Sequence, residues 1–529
     1  MEAFTDRKGK LSTYFDDNQA KGDHGRRSLR SGVVSVTARG VNIVIQVGST
    51  IFLARLLSPH DYGLVGMVSA LVGFAPTLID LGTTDAAVQK SRISRDEVSA
   101  LFWLNVGIGG GLSVLVAACS PLIARFYHEP ELQRIALVSS LTFIFSALSC
   151  QHYALLRRAM MFRRIAMIDI GANLFSSGLA IGMAFCGSGY WALVVRSILV
   201  AFFLTVGVWW ECRWLPGLPK LTSGVKDMLK FGAHLTGFTM TDYAARSGDR
   251  VAIGYWYGAG QLGFYQNALM LYENVLSVLT VPLHTVATAS LTKLREDIEE
   301  LKRCWATALA SLSFFAMPAF GILAVTGPDA VVLLLGDKWA KAGSLLSIFA
   351  FRGIAHIVER TLGWLHVAAG RSDRWLRWGV ASSLVQLAAL GCGLPFGLRG
   401  VAIAYTVSTY VLFVPAISYA GSPFGIGPAS VIKTVGPQLA GSLCSAVAGF
   451  WIRDTFLTGD SRLVRIVTLA LTCTVLYLLV VVGLFRVTRP LQIARSAVGA
   501  FTPAPFSRLG RLVFRGTTPA RKPKPTILP

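Results

Sequence analysis

About fourteen apolar runs of roughly 20 residues, each bounded by proline, glycine or charge, follow one another along this chain. A helix of that length covers the ~30 Å hydrocarbon core of a bilayer, where no other open backbone structure can satisfy its own hydrogen bonds. The runs lie near 33–56, 62–84, 99–119, 132–152, 166–187, 190–210, 231–254, 263–290, 304–326, 343–366, 376–396, 400–420, 434–452 and 464–486. Only short polar stretches separate them, so no soluble domain fits. Charged residues make up 15% of the chain, against about a quarter in globular proteins. The expected fold is an all-α polytopic membrane protein with about 14 transmembrane helices.

A net charge of +22 would suggest nucleic acid in a soluble protein, but here the charge is sorted by loop. Lys and Arg crowd into the N-terminal tail and then into every second connection, at Lys90 to Arg95, Arg157 to Arg164, Arg213 to Lys226, Lys293 to Arg303 and Arg371 to Arg377. About 35 of the basic residues fall on one side by this reading and about 8 on the other. The positive-inside rule then makes both termini cytoplasmic and requires an even number of spans, and no nucleic-acid partner is expected. The first thirty residues lack a short apolar region with a small-residue cleavage site, so the first span serves as the targeting signal. The eight cysteines are scattered singly within apolar runs without metal or disulfide spacing, and neither a metal nor a cofactor is expected. No nucleophile elbow, zinc-protease motif or phosphate loop occurs in a suitable context.

A weak internal repeat relates Gly48–Leu71 to Gly248–Leu271 at an offset of 200 residues, with Gly48 over Gly248, Gly63 over Gly263 and Leu71 over Leu271. Six spans separate the copies, which makes the repeat parallel, with a cleft between its halves. The domain reading is a cytoplasmic tail over 1–30, a six-helix lobe over 31–212 and a cytoplasmic linker over 213–230. A second six-helix lobe then covers 231–421, two additional helices cover 422–487, and a basic cytoplasmic tail covers 488–529.

Two spans carry ionisable residues at i, i+4, i+7 and i+8, which puts four side chains on one helical face. One holds Asp242, Arg246, Asp249 and Arg250, the other Arg352, His356, Glu359 and Arg360. Asp242 and Arg352 fall about 16 and 14 Å from their helix ends, near mid-membrane. A charge there costs about 2.5 to 3.5 kcal/mol on insertion scales. Local ion pairing is one reading of these faces, since Asp242 and Arg246 form an acid–base pair of favourable polarity. The other is a polar cavity, because four arginines outnumber Asp242, Asp249 and Glu359. Guanidinium is suited to bidentate capture of phosphate oxygens, so a phosphate or pyrophosphate head group is the candidate ligand. The candidate substrate-binding residues are Arg246, Arg250, Arg352 and Arg360, with Arg39 and Arg196 in the first lobe. Asp242, Asp249, Glu359, His356 and Glu273 are the candidate ion-coupling residues, and His284 a further lining residue. Asp80 and Asp169 sit near span ends and read as structural.

The segments LARLLSPHDYGLVGMVSALVGFAPTLIDLGTTDAAVQK (53–90), PLIARFYHEPELQRIA (121–136), GQLGFYQNALMLYENVLSVLTVPLHTVATASLTKLREDIEELKR (260–303) and LLLGDKWAKAGSLLSIFA (333–350) are informative together. They resemble the polysaccharide transporter family of Wzx-like oligosaccharide flippases, in the multidrug/oligosaccharidyl-lipid/polysaccharide (MOP) flippase superfamily. The resemblance covers most of 30–420. It implies two parallel six-helix lobes around a cationic cavity, in the bacterial cytoplasmic membrane. It also implies flipping of an undecaprenyl-pyrophosphate-linked oligosaccharide for exopolysaccharide, capsule or O-antigen assembly. Membrane lipids, a polysaccharide polymerase and a co-polymerase are the partners it brings with it. Two rival readings are a cation-coupled drug exporter, which would favour an acidic, aromatic cavity, and a membrane oligosaccharide polymerase or ligase, which would need a large outer loop.

Overall fold

The computed structural model describes residues 24–90, 93–218, 223–370 and 372–492. The two tails of the domain reading therefore lie largely outside the described residues. The described chain is helical throughout, with no strand. In order, the helices of the first half are α1 (His24–Leu56), α2 (Pro59–Val72), α3 (Ala75–Asp80), α4 (Thr83–Gln89), α5 (Arg95–Tyr127), α6 (Glu131–Ser139), α7 (Leu141–Arg158), α8 (Phe162–Phe185) and α9 (Trp191–Cys212). The second half holds α10 (Ser223–Lys293), α11 (Ile298–Leu335), α12 (Ala340–Ala369), α13 (Ser372–Gly393), α14 (Gly397–Gly421), α15 (Pro428–Phe456) and α16 (Arg462–Leu478). Among the described residues, eleven stretches are long and apolar enough to cross a membrane, one of which, Asp373–Phe424, contains both α13 and α14.

The 71 residues of α10 would run about 105 Å if straight, more than three bilayer cores. They fold back at Gly258, whose φ of 75° and ψ of 177° suit a residue without a Cβ. Tyr265 consequently reaches back to Asp249, 16 residues earlier, at 2.8 Å.

Helix starts follow the local sequence. Ser58 and Asp61 form a reciprocal capping box ahead of α2 with Pro59 in the first turn, and Ser94 and Glu97 do the same for α5. Where helices break inside the membrane, side chains take up the freed backbone groups. Leu81 and Gly82, at φ 47° and 64°, separate α3 from α4. The Asp80 carboxylate accepts the Thr84 N–H at 2.9 Å across this break, and Asn105 donates to the Ile79 carbonyl at 2.7 Å. Asp80 is thus a helix cap, as its position near a span end suggested. Pro121 in α5 and Pro318 in α11 cannot donate to the carbonyls four residues earlier. Ser120 Oγ donates to the first of these, Ala117, at 2.8 Å, and Tyr477 Oη to the second, Phe314, at 2.8 Å.

The last two helices pack on α11 through small residues. Gly321 faces Ser442, whose hydroxyl donates to the Met317 carbonyl at 2.7 Å, and Gly449 faces Cys473. Tyr477 joins this contact through Phe314. Tyr477→Phe should therefore orphan a buried carbonyl and cost about 1–3 kcal/mol. The expected result is a lower midpoint in thermal unfolding of the purified protein, with no change for Ser418→Ala on the exposed side of α14.

Candidate functional site

A ladder of polar side chains runs through the second half between α10, α12 and α14. At one end Asp249, 3% exposed, accepts from Tyr265 Oη at 2.8 Å and from the Arg250 main-chain N–H at 2.7 Å. Arg352, 9% exposed, donates from Nε to Thr409 Oγ1 at 3.0 Å, and its guanidinium lies 5.2 Å from the Tyr405 ring centre. One turn along α12, His356 Nδ1 and Tyr272 Oη are 2.6 Å apart, with their rings stacked. Glu359 follows, close enough for its charge to act on Arg352. Arg360 ends the ladder, 3.5 Å from Glu273 at the half-exposed edge. From 352 to 360 the ladder rises about 12 Å.

The order of these groups follows from burial. A carboxylate or guanidinium withdrawn from water must find opposite charge or hydrogen bonds, and the i, i+4, i+7 face of α12 presents its groups to aromatic hydroxyls on two neighbouring helices. Tyr265 and Tyr272 sit seven residues apart on the second arm of α10, and Tyr405 and Thr409 four apart on α14, so each pair lies on one face. Their spacing was visible in the sequence, but a tyrosine in an apolar run also reads as packing or an interfacial anchor.

The structure distributes the candidate substrate residues over both halves. Arg250, Arg352 and Arg360 belong to the ladder, with the Arg250 Nε buried and without a hydrogen-bond partner in the described structure. Arg196 lies in the first half, donating to Ser177 Oγ and Ser49 Oγ, both at 3.2 Å. Arg39 is exposed on α1. Asp242 and Arg246 occur on α10, but their side chains lie outside the described residues. Of the candidate ion-coupling groups, Asp249, His356, Glu359 and Glu273 share the ladder. The Glu273 pairing alters the charge count: Asp249, Glu273 and Glu359 stand against Arg250, Arg352 and Arg360, three against three. Exposed His284 lies edge-on to Trp364, outside this set of contacts. No group of three or more His, Cys, Asp or Glu is arranged to hold a metal among the described residues.

The two halves meet along α2 and α10. Next to this seam is an apolar cleft of about 470 Å³ lined by Phe74, Phe126, Tyr243, Ser247, Tyr255 and Trp256. Along the seam the two backbones approach most closely at two glycines. A Cβ on Gly63 would fall 1.7 Å from the Ala259 carbonyl oxygen, and one on Gly263 would fall 1.8 Å from that of Pro59. These two contacts exchange under the 200-residue offset, since 63 meets 259 and 263 meets 59, as pseudo-two-fold halves require. Arg55 adds donations to the Leu333 and Leu334 carbonyls at 2.6 and 2.9 Å, and Trp339 Nε1 donates to the Ala54 carbonyl at 2.8 Å.

The sequence profile described as "Polysaccharide biosynthesis protein" matches residues 52–344. A lipopolysaccharide biosynthesis protein, WzxC of Escherichia coli strain K12, is 26% identical over 405 residues, covering 73% of this chain and 80% of that protein. The solved lipid II flippase MurJ in an inward closed conformation superposes with a TM-score of 0.69 at 15% identity, over 86% of this chain and 99% of that one. An inward-facing multidrug resistance MATE transporter of the MOP superfamily gives 0.58 at 14% identity, over 74% and 96%. These likenesses establish a MOP-type helical fold.

Two substitutions probe this geometry. Arg352→Gln removes positive charge from between Asp249 and Glu359 and should cost about 3–5 kcal/mol, part of which Glu359→Gln in the same chain restores. Thermal unfolding of the single and double variants measures both effects. Gly63→Ala should force the seam apart and lower the unfolding midpoint, whereas Gly110→Ala, which has open space around it, should not.

Proposed function

This chain belongs to the polysaccharide biosynthesis protein family, and from that premise we propose that it is a membrane flippase. Its substrate is an oligosaccharide unit linked to undecaprenyl pyrophosphate, moved from the cytoplasmic to the outer leaflet of the bacterial inner membrane for exopolysaccharide, capsule or O-antigen assembly. Both termini are cytoplasmic, on the side of the basic connections. A polymerase and co-polymerase take up the delivered unit.

The observation that carries this reading is guanidinium hydrogen-bonding capacity left unused within the membrane-spanning helices. Arg196 rests on two serine hydroxyls, and Arg250 keeps a buried Nε without a hydrogen-bond partner in the described structure. Such groups retain capacity for an anion with oxygen acceptors, as a pyrophosphate has. Arg352, Arg360, Arg246 and Arg39 are the further candidates for substrate contact along the route. The isoprenoid tail remains in lipid while the sugar passes between the lobes, over 31–212 and 231–421, which rock about the seam. Opening the outer end means parting the Gly63 and Gly263 contacts, and small residues there make the closed state tight without interlocking side chains.

The ladder gives the second lobe a charge-balanced interior with one titratable imidazole in contact with a tyrosine hydroxyl. Asp249, Glu273, His356 and Glu359, with Asp242, are the groups through which a proton or cation would couple to lobe movement. One charge crossing the membrane supplies about 2.3 kcal/mol per 100 mV.

Depletion of the protein should trap lipid-linked units in the inner leaflet. Accumulation in the outer leaflet would instead indicate a polymerase or ligase, and drug sensitivity without a glycan defect would indicate a drug exporter. Arg196→Gln with Arg250→Gln should lower polymer export about tenfold or more at normal protein abundance, given about 1.5–3 kcal/mol for each charged hydrogen bond. Export at the wild-type rate would remove the arginine argument.

A further inference from the structure

Basic residues are scarce at the end of the bundle opposite the basic connections, yet three of them converge there on one pocket. Arg55 from the end of α1, Lys338 from the turn before α12 and Arg462 from the start of α16 line a cavity of about 510 Å³ with Gly336 and Asp337. Two of the three are hydrogen-bonded to neutral main-chain carbonyls. Arg55 donates to the main-chain carbonyls of Leu333 and Leu334, and Lys338 donates to the carbonyl of Arg55 at 2.9 Å. Asp337, the one carboxylate in the lining, is engaged by Arg462 at 2.7 Å. The Asp61 carboxylate lies near enough for its charge to act on Lys338, so three cations stand against two carboxylates and one positive charge is in excess.

Helix geometry adds to that field. The turn Asp337–Trp339 leads into the 30 residues of α12, and α16 starts at Arg462 with Ser461 as an N-cap that makes no side-chain capping bond. Both helices begin within two residues of the lining, which brings their positive dipole ends close to the pocket. The carbonyls at the end of α11 oppose this, but Arg55 already covers two of them. The pocket lies where spanning helices end, at the level of lipid headgroups.

We propose that this pocket binds the phosphate of a lipid headgroup at the face opposite the basic connections. Two sources share this chemistry: the phosphodiester of a bilayer phospholipid, and the pyrophosphate of the transported lipid on arrival. The second rests on the flippase reading and the first does not. Because Arg55 belongs to the first half and Lys338 to the second, a headgroup held between them bridges the seam.

The test uses the purified full-length protein in detergent, with thermal stabilisation read against added phosphatidylglycerol and farnesyl pyrophosphate. Diacylglycerol and farnesol, which lack the phosphate, are the controls. Saturable stabilisation by either phosphate lipid is expected, weakened about tenfold in apparent affinity by Lys338→Gln with Arg462→Gln. Asp337→Asn, which removes the competing carboxylate, should strengthen binding about threefold and so separates site loss from misfolding. The stronger of the two ligands identifies the source. Stabilisation no greater than with the controls, or equal affinity in wild type and both variants, overturns the proposal. Neither result bears on the leaflet in which lipid-linked units accumulate, so the flippase reading stands or falls separately.

Discussion

Hydrocarbon offers no hydrogen-bond partner, and at several breaks in the apolar helices of this protein a side chain replaces what water would have supplied. Pro318 frees the Phe314 carbonyl and Tyr477 takes it; the break at Leu81 and Gly82 is bridged by Asp80 and Asn105. The same rule governs the charges. Arg352 is tolerated within α12 because Thr409, the Tyr405 ring and Glu359 surround it. Structural integrity and the placement of functional groups are therefore one problem in this fold.

The two halves solve it differently. The second half encloses a continuous polar ladder, balanced in charge among its described side chains, which ties α10, α12 and α14 into one unit. The described hydrogen bonds that cross the seam go to main-chain carbonyls, among them Tyr243 Oη to Ser69. The seam relies on close backbone approach at Gly63 and Gly263 and on a small latch around Arg55 and Trp339. A cohesive interior and a seam of small residues suit bodies that move against each other rather than deform.

Much of this was legible from local pattern. Apolar runs gave an all-helical membrane protein of many spans, and the 200-residue offset brought Gly63 and Gly263 into register. Helical spacing put Arg352, His356 and Glu359 on one face, and Arg352 is indeed buried. Their partners were not legible. Tyr265, Tyr272, Tyr405 and Thr409 carry no signal beyond an aromatic or small residue in an apolar run, and Glu273 was not matched to Arg360 because no local spacing links residues 87 positions apart. The arginine surplus inferred from two stripes alone disappears once that pairing is counted among the described side chains.

The sequence alone determined that this chain must live in a bilayer, that its helices must be many, and that its internal charges must turn inward, since each follows from short-range periodicity and the cost of exposing polar groups to lipid. Only the tertiary structure decided which hydroxyl or carboxylate meets which guanidinium, where the two halves touch, and that three distant cations share one pocket. Those outcomes depend on how helices separated by tens or hundreds of residues are set side by side, and no local pattern encodes that arrangement.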